Sequence, residues 1–150
     1  MRRLLVVGSL FVALAMARPA AAQAGISLGA GVGSSWHDSK ISSDDLHGLV
    51  YLRLGLPLVP YGARGDFLVF DAPDAGTEMA LIGSAVMSLN APLIQPYALL
   101  GIGKYGFGDN SQSGFSFGAG VRIGGKRGLF VEGRRHDPIN RTLLSLGIAF

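Results

Sequence analysis

Alternation with period two is the feature that most constrains this chain, and it is plainest in the last ten residues, RTLLSLGIAF. One parity carries Thr142, Leu144, Leu146, Ile148 and Phe150, and the other carries Leu143, Ser145, Gly147 and Ala149. Because successive side chains of a β-strand point to opposite faces, this pattern predicts a strand with one bulky apolar face. An ordered strand that ends the chain on an aromatic residue needs a neighbour on each side and an apolar medium against its outer face.

Apolar residues are abundant throughout the chain but dispersed. The sequence is 49% hydrophobic and only 15% charged, with 23 glycines, yet no segment after residue 25 keeps a helical period for three turns. No apolar run after that point reaches the roughly 20 residues that a membrane-spanning helix needs. A transmembrane β-barrel has this composition, because each strand contributes a lipid-facing residue only at every second position. Cysteine is absent, which excludes a disulfide scaffold.

Residues 1–24 are predicted to be a cleaved signal peptide, which leaves residues 25–150 as a single domain. Arg2 and Arg3 precede an apolar run over residues 4–17, and the segment closes on an A-x-A site. We expect cleavage after Ala24, with Ala22 as the alternative; an uncleaved membrane anchor is the competing interpretation, but the run is short for one. The leader holds three of the 13 basic residues and none of the 10 acidic ones, so the mature domain is formally neutral and nothing points to nucleic acid.

Eight strands are predicted in this domain. They cover residues 26–36, 47–56, 61–70, 78–90, 97–107, 113–123 and 129–136, followed by the terminal strand quoted above. The fifth is apolar on both parities, so its faces stay unassigned. Connections after the second, fourth and sixth strands are short and contain Pro or Gly, whereas those after the odd-numbered strands read as longer polar loops. Short turns and long loops are therefore expected at opposite rims.

The sequence resembles the small outer-membrane β-barrel proteins of Gram-negative bacteria. The resemblance rests on the terminal Phe150 preceded by Ile148, Leu146 and Leu144, on PYALLGIG in a middle strand, and on LFVEGRR before the final hairpin. It implies an eight-stranded antiparallel up-and-down transmembrane β-barrel in the cell outer membrane. It also implies that Phe150 is an assembly signal read by the barrel-insertion machinery. Closure agrees with physical reasoning, since an open sheet edge in lipid leaves backbone groups unsatisfied.

Six charged residues lie opposite apolar parities and are predicted to form a packed ionic cluster in the lumen. They are Arg53, Arg64, Asp66, Arg122, Glu132 and Arg134. Buried charges must be paired, and four arginines face two acids here, with Glu78 as a possible third acid and Tyr51 as a further partner. The rival architecture is a soluble barrel of lipocalin type, which would turn these charges to water. Bulky apolar faces on several strands, with Trp36, Tyr61 and Tyr97 near strand ends as an aromatic girdle, favour lipid outside.

His136 is the residue that most invites a catalytic interpretation. Lipid A deacylases are also eight-stranded outer-membrane barrels and carry a His-x-Ser-Asn motif, but here Asp137, Pro138, Ile139 and Asn140 follow the histidine. Without a serine for His136 to activate, the triad chemistry is incomplete, and we expect a polar residue at the rim. His37 and His47, with Asp38, Asp44 and Asp45, could hold a metal ion, but the spacing is not diagnostic and a solvated loop is favoured.

These features predict an outer-membrane barrel with a structural or interaction role and a lumen plugged by side chains. The alternatives are a narrow channel or small-ligand binder, and a lipid A modifying enzyme of deacylase type. No cofactor is expected. The expected partners are outer-membrane lipid and lipopolysaccharide, whose phosphates an acidic outer rim could contact through divalent cations, although such acids also serve loop solubility. We expect a monomer that the barrel-insertion machinery recognises.

Overall fold

The computed structural model describes residues 25–37, 40–55, 60–72, 76–89, 93–107, 111–124 and 127–150, with backbone only for residues 37, 40–44 and 72. Its strands are β1 (Ile26–His37), β2 (Lys40–Gly55), β3 (Tyr61–Ala72), β4 (Gly76–Ser88), β5 (Ile94–Tyr105), β6 (Gln112–Ile123), β7 (Gly128–His136) and β8 (Arg141–Ala149). The predicted signal peptide, residues 1–24, lies outside the described residues.

Each strand pairs antiparallel with the next, and β8 pairs with β1, so the sheet closes on itself. The closing ladder runs from Gly29 opposite Ala149 to Trp36 opposite Thr142. Beyond β8, Phe150 continues this ladder, because its N–H donates to the Leu28 carbonyl at 2.7 Å and its carbonyl accepts from Leu28 at 3.1 Å. The predicted eight-stranded antiparallel barrel is confirmed. Within the described part of the chain, no helix is long and apolar enough to cross a bilayer.

The barrel has two rims, which we name from the chain ends. The terminal rim carries the start of β1, the end of β8 and the connections after β2, β4 and β6. The far rim carries the connections after β1, β3, β5 and β7.

Side chains of the strands alternate between an outer surface and the lumen. In β4 and β5 the alternation of exposed and buried residues is almost unbroken. Large apolar side chains such as Leu100, Phe117 and Leu146 are more than half exposed on the outer surface. The structure also assigns the faces of β5, with Leu100 and Ile102 outside and Leu99 inside. A soluble barrel with polar residues outside does not fit this arrangement.

The far rim differs from the prediction of long polar loops. β2 begins at Lys40 instead of residue 47, and β1 continues to His37, with a register irregularity between Ser34 and Trp36. The strand bounds leave residues 38–39, 73–75, 106–111 and 137–140 for the far-rim connections, and residues 56–60, 89–93 and 124–127 for those at the terminal rim. The expected difference in loop length is therefore wrong. Polar residues continue the ladder at this rim. Where water contacts both faces of the sheet, polar side chains can lie on either face, and strand pairing still satisfies the backbone hydrogen bonds.

β5 also starts earlier than predicted, at Ile94 instead of residue 97, and includes Pro96. A proline is tolerated this close to a strand end, where a missing N–H removes little of the ladder. The Pro96 carbonyl still accepts a hydrogen bond from the Leu89 N–H at 3.0 Å. β4 ends at Ser88, and residue 90, which was predicted to close this strand, lies outside the described residues.

Candidate functional site in the barrel lumen

The lumen takes its polar character from charged residues at every second position of β3 and β7. From the terminal rim inward, β3 turns Arg64 and Asp66 into the barrel, and β7 turns Glu132 and Arg134 into it. All four residues are at most 4% exposed. Because β3 and β7 are four strands apart in an eight-stranded ring, the two pairs face each other across the lumen.

Arg64 joins the two acids of this group. Its Nε donates to Asp66 Oδ1 at 2.5 Å, and its two terminal nitrogens donate to the Glu132 carboxylate at 2.5 and 3.2 Å. Planar two-point pairing of this kind is the strong form of a charge-assisted hydrogen bond. Arg64 therefore holds β3 and β7 together through the centre of the barrel.

Arg134 binds the remaining side of the Asp66 carboxylate. Its Nη1 donates to Asp66 Oδ2 at 2.8 Å, and its Nη2 donates to the hydroxyls of Ser84 and Ser116 at 2.6 and 2.8 Å. A side chain on Gly101 could not be accommodated here, since a Cβ atom would lie 2.5 Å from Ser84 Oγ and 2.8 Å from Arg134 Nη2. The resulting group of Arg64, Asp66, Glu132 and Arg134, which we call the ionic network, has two positive and two negative charges.

Two tyrosines contact the ionic network, and one of them was predicted to face lipid instead. The guanidinium carbon of Arg64 lies 3.9 Å from the ring centroid of Tyr51, a cation–π distance. Tyr97 points into the lumen and its hydroxyl donates to Glu132 Oε2 at 2.9 Å, so its predicted place in a lipid-facing girdle is wrong. The unassigned faces of β5 explain the error. Trp36 and Tyr61 do face outward near strand ends, at 46% and 59% exposure.

Arg53 and Arg122 lie nearer the terminal rim than the ionic network does. Arg53 is half-buried and its Nη2 donates to Ser88 Oγ at 2.8 Å, while Arg122 is 8% exposed. Glu78, considered as a third acid, occurs in none of the ion pairs found between described residues. It is opposite Phe70 in register, toward the far rim. The structure thus places all six predicted residues on the inner side of the barrel, with four in direct contact and two displaced toward one end.

An apolar layer fills the lumen between the ionic network and the far rim. It contains Leu49, Leu68, Phe70, Ile82 and Leu143, all at most 6% exposed. This layer was not predicted from the sequence, although Leu68 and Phe70 share the parity of Arg64 and Asp66. That shared parity is the sequence feature from which the apolar layer could have been predicted. The plug is therefore part ionic and part hydrophobic.

Both described lumen histidines are buried, whereas His136 was predicted to be a polar residue at the rim and His47 to lie in a solvated loop. His136 is 3% exposed, and its Nδ1 lies 2.8 Å from the Tyr105 hydroxyl. His47 is 4% exposed, and its Nε2 lies 2.8 Å from Ser145 Oγ. His136 is the last residue of β7, at the far rim, and His47 lies in the middle of β2; both are on inward parities, which is why they are buried.

The contact between His47 and Ser145 is the pairing that activates a serine nucleophile, and it was not predicted from the sequence. Its two residues are 98 apart in the sequence. A triad also needs an acid on the other ring nitrogen, and His47 Nδ1 has no hydrogen-bond partner among the described residues. Both residues are also buried inside the plug, away from any substrate in solution.

The structure gives no support to a metal centre at the first hairpin. Asp38 and the side chains of His37 and Asp44 lie outside the described part of the chain. Asp45 accepts a hydrogen bond from Ser35 at 2.7 Å and lies 3.5 Å from Arg141. Across the described ranges, no three His, Cys, Asp or Glu residues are grouped as metal ligands.

Inside this plug, a cavity of about 10 Å³ lies between the ionic network, the apolar layer and the side chains of His136 and Ser145. That volume holds about one water molecule.

At the far rim, Arg141 links β8 to two other strands. It lies close to Asp45 on β2, and it donates a hydrogen bond to the Asp71 carbonyl on β3 at 3.2 Å.

Comparison with known proteins gives matches in structure only. Neither a protein-family model nor a curated protein matches the chain. A de novo designed transmembrane β-barrel matches with a TM-score of 0.60 and 15% identity, over 85% of this chain and 94% of the design. The chain has the fold of a small transmembrane β-barrel.

Two natural barrels show the same likeness. The N-terminal β-barrel domain of OprF from Pseudomonas aeruginosa has a TM-score of 0.57 at 12% identity, over 83% of this chain and 95% of that domain. Neisserial surface protein A has a TM-score of 0.54 at 15% identity, over 83% of this chain and 94% of that protein. At these identities the likeness concerns the fold.

Proposed function

We propose that this protein is a monomeric, non-conducting barrel of the bacterial outer membrane with a structural or interaction role. The filled lumen is the observation that carries the proposal. Arg64, Asp66, Glu132 and Arg134 bridge the barrel through direct ion pairs, and the cavity beside them holds about one water molecule. An eight-stranded barrel is just wide enough for its interior to be filled in this way.

Conductance across a planar bilayer tests this proposal against the narrow-channel alternative. The wild-type protein, shown to be folded by its heat-dependent mobility in SDS gels, should give no stepwise current. A variant with both Arg64→Ala and Arg134→Ala removes the bridging side chains and should leak, which would show that inserted protein is detectable. Stepwise currents from the wild type would establish the channel instead.

The enzyme alternative has less support. His136 contacts Tyr105, and the buried pair of His47 and Ser145 lacks an orienting acid within the described residues. Unchanged lipid A acylation after overexpression would agree with a non-enzymatic role. A loss of acyl chains that depends on Ser145 would overturn it.

Anionic lipid, including lipopolysaccharide, is the partner that the outer surface favours. Lys104 and Arg135 lie on outward parities, each one residue before the far-rim end of its strand. Long basic side chains at the edge of the lipid-facing band reach toward head-group phosphates. If the far rim faces the cell exterior, those phosphates belong to lipopolysaccharide, and Lys104→Gln should reduce the lipopolysaccharide that co-purifies with the barrel. The exposed terminal-rim variant Arg127→Gln is the matched control.

A further inference from the structure

Two histidines inside the barrel take no part in the ionic network, and each packs against a neutral hydroxyl. His136 Nδ1 on β7 lies 2.8 Å from the Tyr105 hydroxyl on β5. His47 Nε2 on β2 lies 2.8 Å from Ser145 Oγ on β8. This second contact passes over Gly33 on β1, where a Cβ atom would lie 2.6 Å from His47 Cε1. Glycine at position 33 therefore leaves the space that the His47 ring occupies.

Both imidazoles adjoin the same small space beside the ionic network. His136 and Ser145 line the cavity of about 10 Å³, together with Asp66, Glu132 and Arg134. His47 reaches this group through its contact with Ser145. A change in the charge of either histidine therefore acts on one continuous part of the plug.

The surroundings of His136 are positively charged or neutral. Arg134 occupies the next inward position of β7, Arg141 is opposite His136 on β8, and Ser116 is opposite it on β6. The two carboxylates that share the cavity are already paired with the arginines of the ionic network. Asp137 follows in the far-rim turn, where it is exposed to water. Among the described groups around His136, a proton on its ring would meet two arginines and no buried carboxylate that lacks one.

The surroundings of His47 offer little more to a positive charge. Asp45, at the next inward position of β2, lies 3.5 Å from Arg141. Glu78 on β4 is separated from His47 by Phe70, which is opposite both residues in register. His47 Nδ1 has no hydrogen-bond partner among the described residues. An imidazolium needs acceptors for two N–H groups, so the closed lumen does not accommodate the protonated ring.

Burial of this kind couples closure of the plug to pH. A histidine in water takes up a proton near pH 6.5, whereas a buried charge without a counter-charge is costly. The closed lumen therefore holds both rings neutral, and a lumen filled with water lets them be charged. Because the open form binds more protons, acid shifts the equilibrium from the closed form toward the open one.

We propose that the far-rim half of the plug is an acid-sensitive gate, which opens to water when His47 and His136 are protonated. His47 is opposite Phe70, a member of the apolar layer, so hydration of the histidines also hydrates that layer. The gate leaves the ionic network in place, and its opening does not by itself make the barrel a channel. This inference rests on the proposed function, because it requires a plug that is closed at neutral pH.

Solvent access to the apolar layer tests the proposal by NMR in a non-ionic maltoside detergent. With a soluble paramagnetic chelate, the relaxation enhancement of the Leu68 and Leu143 methyl groups should be small at neutral pH. At about pH 4, well below the ordinary titration of histidine, it should rise several-fold toward that of a methyl group in water. The ring carbon–proton signals of His47 and His136 should titrate over the same pH range.

Glutamine variants identify the groups responsible. The double variant His47→Gln with His136→Gln keeps neutral hydrogen-bonding side chains that cannot be protonated, so it should lose the acid response. His37→Gln removes the third histidine of the chain and should keep the response. Heat-dependent gel mobility checks that each variant is folded. If the double variant does not fold, the single variants should each show a weaker response than the wild type.

The outcomes separate this inference from the proposed function. An acid response that survives in the glutamine variants would belong to other groups and would overturn the gate. The same conclusion would follow if the leucine methyl groups of the wild type stayed shielded while both histidines titrated, or if neither changed in acid. Stepwise current from the wild type at neutral pH would instead refute the non-conducting barrel, whatever happens in acid.

Discussion

Arg64 on β3 and Glu132 on β7 are 68 residues apart in the sequence and meet in the lumen through two hydrogen bonds, of 2.5 and 3.2 Å. Their side chains are 2% exposed, so little water screens the contact. A cross-barrel pair of this kind joins strands that share no ladder, and it can form only once the sheet has closed. It therefore stabilises the closed barrel specifically.

Removal of Arg64 should leave two carboxylates without their main partner. Breaking a buried pair by deleting one member leaves an uncompensated charge, so Arg64→Ala should reduce the free energy of unfolding by about 3 kcal/mol. Urea unfolding in lipid vesicles measures this loss. Arg127→Ala changes an exposed arginine and should have almost no effect. Equal stability of the Arg64 variant and the wild type would show that the ionic network does not hold the barrel together.

Removal of both members of the pair should be less harmful than the single changes suggest. In the double variant Arg64→Met with Glu132→Leu, no charge of that pair is left alone, and apolar replacements of buried ion pairs are often well tolerated. A double-mutant cycle should give a coupling free energy of about 1–3 kcal/mol. Strict additivity of the two single changes would mean that the contact contributes little.

Parity along single strands allowed the main features of the fold and lumen to be predicted. Arg64 and Asp66 lie opposite Phe67 and Val69 on β3, so one strand alone separates a polar face from an apolar one. The ion pairs themselves depend on which strands face each other after closure. Contacts such as that between His47 and Ser145 join residues 98 positions apart, and no local pattern encodes them.

β5 shows where parity gives no answer. Leu99 and Leu100 are adjacent and equally apolar, yet Leu99 is 3% exposed inside the barrel and Leu100 is 61% exposed outside. Only pairing with β4 and β6, whose faces differ clearly in character, fixes the orientation. The misplacement of Tyr97 in the outer girdle followed from this ambiguity.

The barrel should require glycine at position 120, because the Tyr97 side chain occupies the space that a larger residue would need. Gly120 is opposite Tyr97 on one side and Glu132 on the other, and a Cβ atom would lie 2.5 Å from the Tyr97 hydroxyl. Gly120→Val should therefore displace Tyr97 from Glu132 and reduce stability in urea by about 1–3 kcal/mol.

Gly83→Val is the matched control for Gly120→Val. Gly83 also lies within a strand but is exposed on the outer surface, and a Cβ atom there would have no atom within 4 Å beyond its own chain neighbours. This variant should be as stable as the wild type or slightly more so, because a glycine within a strand is destabilising. Equal losses at both sites would point to a general intolerance of valine instead of a clash with Tyr97.

Arginine substitutions on β5 can test whether lipid or water surrounds the barrel. Leu100 is in the middle of this strand and points outward, so Leu100→Arg should destabilise the vesicle-embedded protein by about 2–4 kcal/mol. Ile94→Arg, at the terminal-rim end of the same strand, should cost only about 0–1 kcal/mol. Urea titrations give both values. Two harmless substitutions would indicate water at both positions and contradict a transmembrane barrel.

Recognition of the terminal strand by the barrel-insertion machinery can be separated from stability. Phe150→Ala keeps both backbone hydrogen bonds with Leu28 and removes only the aromatic ring. If that ring is the assembly signal, the variant should accumulate poorly in the outer membrane of cells while refolding normally from urea into detergent. Phe117→Ala removes another exposed aromatic ring, from the middle of β6, and should leave the yield in cells close to that of the wild type. Normal yield of the Phe150 variant, or equal loss for both variants, would exclude a specific role for the terminal ring.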